Sequence, residues 1–89
     1  MSGAEPRAVR LKRLSMRAGR RGIREMDLVL GGFAAAALPA LGEGDLDAFE
    51  RLLEENDHDL LAWVTGQAAA PAAHAALVAR IRAGLGGGA

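Results

Sequence analysis

The chain reads as an all-α protein, a bundle of about five short helices, and three observations carry that reading. Its apolar residues are mostly Leu, Ala, Val, Ile and Met, with 3% aromatic content and no tyrosine, a palette that favours helix over strand. Apolar positions recur in steps of three and four, and no stretch of useful length alternates with period two. Proline, glycine and Asn-Asp punctuation divides the chain at short intervals, which suits antiparallel helix neighbours. With 89 residues there is one domain, burying only roughly 60% of the surface its unfolded form exposes.

Residues 1–6 form a polar, disordered lead-in ending at Pro6, which opens a first helix over Arg7 to Ala18 with Leu11, Leu14 and Ala18 at helical spacing among arginines. Gly19 ends it. A second helix follows from Gly22 to Leu38, its stripe of Ile23, Met26, Leu30, Phe33, Ala37 and Leu41 making it the central core helix. Gly31-Gly32 lies inside that stripe at about 1 kcal/mol per glycine, which points to close packing against another helix. After Pro39 and Gly42, Asp45 caps a third helix, Leu46 to Glu55, with Leu46, Phe49, Leu52 and Leu53 inward. Asp57 caps a short fourth helix that Gly66 ends, and Pro71 opens a fifth carrying Leu77, Val78, Ile81 and Leu85. The domain therefore spans residues 7–83, and residues 84–89 are a flexible Gly-rich tail.

Several kinds of chemistry have no residues to carry them. Without cysteine there is no disulfide or thiolate metal site, and a reducing, cytoplasmic setting fits. His58 and His74 are too far apart to form a local ligand pair and are read as solvent-exposed. The run Phe33 to Leu38 is far too short to span a bilayer. The arginine-rich segment has the composition of a transit peptide, yet it runs straight into the following helix and is read as part of the domain. Trp63 is a core anchor and Met16 and Met26 fill gaps or edges. No Ser/His/Asp set, phosphate-binding glycine loop or metal spacing occurs, so catalytic, cofactor-binding and metal-ligating residues are all expected to be absent.

Charge is sorted along the chain although the net charge is zero. Arg7, Arg10, Lys12, Arg13, Arg17, Arg20, Arg21 and Arg24 form an acid-free basic segment, and the acids from Glu43 to Asp59 are interrupted only by Arg51. Such a dipole steers a complementary partner. Alternatively, the two segments face each other, each surface pair contributing only ~0 to 1 kcal/mol.

The two segments' chemistry concentrates at Arg20-Arg21-Gly22-Ile23-Arg24-Glu25-Met26-Asp27. Gly22 admits another surface without a side chain in the way, and the flanking guanidinium and carboxylate groups orient it. A purely structural account also exists: with Gly22 as N-cap, Glu25 stands at the third helical position, where it serves the exposed N–H groups and the helix dipole, and Arg21 pairs with Glu25 one turn on.

The order Arg21-Gly22-x-x-Glu25, followed by Met26-Asp27, resembles the RGxxE signature of the SdhE-type FAD assembly factors, the succinate dehydrogenase assembly factor 2 family. Further matches follow in family order and at near-family spacing: Leu11-Lys12-Arg13-Leu14, Phe49 to Glu54, Asp57 to Trp63 and Leu77 to Arg82. The resemblance implies a helical, non-enzymatic maturation factor that binds the flavoprotein subunit of succinate dehydrogenase, or of fumarate reductase, and promotes covalent attachment of FAD to it. FAD then belongs to the partner, and this chain holds no cofactor stably. By the same resemblance Arg21, Gly22 and Glu25 form the contact surface, flanked by Arg20, Arg24 and Asp27, on a protein that is monomeric when free. The chain departs from the family at Ala34 to Ala37, at Gly42 where a hydroxyl cap is usual, and at His58 where a proline is usual; these bear on stability.

A different reading makes the chain a small nucleic-acid-binding or antitoxin-like regulator with the basic first helix on phosphates. Zero net charge, the acidic middle and the shortage of stacking aromatics weigh against it. A membrane-surface helix lacks the large apolar residues such a face needs.

Overall fold

In the computed structural model, which describes residues 5–87, the order is α1 (Arg7–Ala18), α2 (Arg24–Ala37), a 3-10 turn (Leu38–Ala40), α3 (Glu43–Leu52), α4 (Asp57–Val64) and α5 (Ala72–Gly87). The all-helical bundle expected from the pattern is what forms. Its radius of gyration is 12.6 Å, close to the roughly 12 Å of a compact chain this long.

One apolar core runs through all five helices, from Leu14 and Ala18 through Met26, Leu30, Phe49, Leu52 and Leu60 to Leu77, Val78 and Ile81. Phe49, at its centre, is fully buried. α2 is the central helix, packed against α1, α4 and α5. Its buried line is Met26, Leu30, Ala34 and Leu38, with Ile23, Phe33 and Ala37 only half-buried. The inner face follows steps of four, so the small Ala34 was hidden in a run of alanines where size gave no clue.

Helix boundaries shift where local chemistry overrides the pattern. α2 starts at Arg24 rather than Gly22 because Gly22 has φ +108° and Ile23 is extended. α3 starts at Glu43 behind Gly42, which gives no side-chain cap; Glu43 and Asp45 instead place negative charge in the first turn. Asn56, not Asp57, caps α4, its Oδ1 accepting the His58 N–H at 2.8 Å. α5 continues to Gly87, through four positions expected to be tail, and residues 88–89 lie outside the described residues, as do residues 1–4 of the lead-in. Glu5 is tied down by Arg13, with Oε2 2.9 Å from Nε.

The two glycines inside α2 differ. A Cβ on Gly31 would stand 3.4 Å from the Gly19 Cα, so this glycine lets the end of α1 approach α2, as expected. Gly32 has nothing within 4 Å of that point and faces outward.

His74 is buried, not exposed. Its ring stacks on Trp63 with centroids 5.8 Å apart, and Nε2 lies 2.8 Å from Glu55 Oε2, so the polar edge is satisfied while the ring joins the core. The signal was its spacing: His74 lies on the same face as Leu77, Val78 and Ile81.

Basic and acidic segments do face each other. Arg7 pairs with Glu43, Arg10 with Glu43, Asp47 and Glu50, Arg13 with Glu5 and Glu50, and Arg17 with Glu50 and Glu54. α1 and α3 are thus laced by arginine–carboxylate contacts along their lengths.

Candidate functional site

The loop between α1 and α2 is fixed from inside by two residues of the motif. The Arg21 side chain, 11% exposed, turns inward; its Nε donates to Asp57 Oδ1 at 2.7 Å, Nη2 donates to the Glu55 carbonyl at 2.7 Å and Nη1 to the Leu53 carbonyl. Carbonyls at a helix C-terminus lack intrahelical partners, and a guanidinium fork presents several donors in a rigid plane. Arg21 therefore locks the end of α3 to the start of α4. The expected Arg21–Glu25 pair is not made, because Arg21 lies outside the helix and is already spent on this junction.

Asp27 does the complementary task from α2. Its Oδ1 accepts the backbone N–H of Arg21 and that of Gly22, the latter at 3.3 Å, while its own N–H donates to the Ile23 carbonyl at 3.0 Å. The carboxylate reaches back over the N-terminus of a helix whose N-cap, Ile23, has no side-chain oxygen to offer. Between these two anchors the chain turns at Gly22 with φ +108°, a conformation that side-chain-bearing residues rarely adopt. Space is not the constraint: the nearest atom to a Cβ there would be Asp57 Oδ2 at 4.0 Å.

What remains outward is Arg20, Gly22, Arg24 and Glu25, all exposed. None of the side-chain hydrogen bonds or ion pairs among the described residues involves Arg20, Arg24 or Glu25. The six motif residues thus come together at one corner but divide into two roles, with Arg21 and Asp27 holding and the other four presented. Sequence reasoning missed Asp57 as the acceptor for Arg21. An acid just after the Asn56 cap was visible, but its partner lies 36 residues away, and distance along the chain hides such a pair.

Elsewhere, the arginine–carboxylate face of α1 and α3 carries the resolved ionisation shifts. Hydrogen bonds from Arg13, and secondarily from Arg10, hold the Glu50 carboxyl below the usual carboxylate value against the opposing effect of burial, and the hydrogen bond from Arg13 does the same to Glu5. The described residues contain no cluster of three or more metal-ligating side chains, and no described helix is long and apolar enough to cross a membrane.

The family described as "Flavinator of succinate dehydrogenase" matches residues 12–84. The succinate dehydrogenase assembly factor 2, mitochondrial, of Mycosarcoma maydis is 39% identical over 69 residues, covering 78% of this chain and 29% of that protein. Its counterpart in Saccharomyces cerevisiae (strain ATCC 204508 / S288c) is 41% identical over 61 residues, covering 68% and 38%. The FAD assembly factor SdhE of Legionella pneumophila (strain Lens) is 49% identical over 47 residues, covering 53% and 60%. The match spans less than two thirds of each of these relatives. All three are named assembly factors rather than catalysts, and with most of its length matched the chain belongs to the family of flavinators, or assembly factors, of succinate dehydrogenase.

Proposed function

We propose that this chain binds the flavoprotein subunit of succinate dehydrogenase, or that of fumarate reductase, through the corner of Arg20, Gly22, Arg24 and Glu25, and promotes covalent attachment of FAD to that subunit. The observation that carries the reading is the split within the motif: Arg21 and Asp27 are consumed in fixing the turn, which leaves Gly22 and Glu25 exposed on a pre-set backbone. A surface ordered before binding loses less entropy on association.

The factor supplies shape rather than chemistry. A helper favours one conformer of its client only by contacting that conformer better than the others. In this reading the corner grips the flavoprotein where its isoalloxazine and acceptor side chain are brought into line, and FAD is the partner's cargo throughout, in a cytoplasmic setting. The nucleic-acid reading is weakened by the pairing of Arg7, Arg10, Arg13, Arg17 and Arg21 with carboxylates, since affinity for phosphates rests on cations free to displace counterions.

A reconstituted flavinylation reaction tests the proposal, with apo-flavoprotein, FAD and this protein, read by in-gel flavin fluorescence. Covalent flavin rising with the wild-type factor and not with Glu25→Ala is the expected result. Equal flavin with and without the factor overturns the proposal.

A further inference from the structure

After Asp27, α2 carries no polar side chain as far as Ala37. Its outward positions are Leu28, which is 63% exposed, then Gly32, Ala35 and Ala36. A helix on a protein surface ordinarily turns polar residues to water, and one that is apolar all round is ordinarily covered. Alongside this face, α2 and α5 flank an open groove of about 420 Å³ lined by Leu28, Gly32 and Phe33 on one side and Ile81, Gly84 and Leu85 on the other. Gly32 and Gly84 have nothing within 4 Å of where a Cβ would stand, so they leave the groove open instead of letting the helices close on it. Leu85, 49% exposed, forms the opposite lip.

We infer that this groove receives an apolar segment of the same flavoprotein subunit that grips the motif corner; the inference rests on the proposed function and extends its contact surface. Continuity is the first argument. Leu28 lies three residues beyond Glu25 and four beyond Arg24, positions that are neighbours on a helix surface, so a body seated on the corner overhangs the groove. Size is the second. A stable interface covers roughly 800 Å² per partner, more than a corner of four residues offers, and the α2 face adds an apolar centre to that charged end. Chemistry is the third: among the described residues the groove wall carries one charged side chain, Arg80, and Asp45 at 3.3 Å already pairs with it, so the groove suits an apolar occupant without a charge of its own.

Affinity for the purified flavoprotein subunit, measured by titration calorimetry with the full chain, tests this. Leu28→Asp and Leu85→Asp are each expected to weaken binding by about tenfold or more, with unchanged circular dichroism and with Lys12→Ala, on the exposed side of α1, binding as wild type. If Glu25→Ala weakens binding while both leucine variants bind normally, the groove inference falls and the corner reading stands. Loss with the leucine variants alone keeps the groove and overturns the corner. No binding by the wild type overturns both. A wild-type dimer in light scattering that Leu28→Asp converts to monomer makes a second copy the occupant and overturns the inference.

Discussion

Arg21 and Asp57 stand 36 residues apart in sequence and meet with Nε 2.7 Å from Oδ1, joining the loop that carries the motif to the junction of α3 and α4. Both side chains are mostly shielded, and the same guanidinium also serves two backbone carbonyls. The signature arginine therefore acts first as a fastener. Arg21→Ala leaves Asp57 and the carbonyls of Leu53 and Glu55 without that partner, and a loss of about 2 to 4 kcal/mol in urea unfolding is expected. Arg21→Lys should recover little, because one ammonium cannot reproduce a planar fork. Unchanged stability for Arg21→Ala would return this residue to the proposed docking surface.

Glycine replacements in the same region should differ in sign. Gly22→Ala forces a side chain into the left-handed region at φ +108° and should cost about 1 to 2 kcal/mol. Gly32→Ala, in a helix interior with open space at the Cβ position, should stabilise by about 0.5 to 1 kcal/mol. Thermal melts of the two variants against wild type check both signs.

Acid should weaken the α1–α3 contact. The Glu50 and Glu5 carboxyls are held below 4.5 by hydrogen bonds from Arg13, with Arg10 adding to the effect on Glu50. A carboxyl whose folded-state value is depressed contributes stability that is present above its unfolded value and lost as pH falls through the folded one. The urea midpoint should thus fall between about pH 5 and about pH 3, and Glu50→Gln should flatten that fall while costing little at neutral pH, since the pairs are partly exposed. A variant as acid-sensitive as wild type would contradict this assignment.

Removing the His74 ring from between Trp63 and Glu55 should cost about 1 to 3 kcal/mol and shift Trp63 emission, as a stacked neighbour is replaced by a gap. Fluorescence-monitored urea unfolding of His74→Ala gives both numbers. An unchanged emission maximum would mean the stack does not persist in solution.

Much of the fold was legible because apolar spacing and breaker residues are local. Leu14, Ala18, Met26, Leu30 and Phe49 were readable from steps of three and four, and the Gly19 and Gly66 punctuation marked real ends, whereas Gly42 stands at the start of α3. His74 was misjudged because residue type was weighed above spacing. At the motif, sequence and family resemblance singled out six residues without showing that Arg21 and Asp27 turn inward. Whether Arg21 points outward or inward depends on where α3 ends and α4 begins, and no neighbour of Arg21 in sequence encodes that. Leu28, off the stripe of Ile23, Met26, Leu30 and Phe33, falls on the solvent side by spacing; that it borders an open groove follows only from how α2 packs on α5.

Glu25 offers the most direct test, because it is exposed and makes no side-chain hydrogen bond or ion pair among the described residues. Its replacement by alanine should leave folding stability within about 0.5 kcal/mol of wild type. Titrated against the purified flavoprotein subunit of succinate dehydrogenase, Glu25→Ala should bind at least about tenfold more weakly, a difference of about 1.4 kcal/mol. Wild-type affinity in that titration would contradict the account.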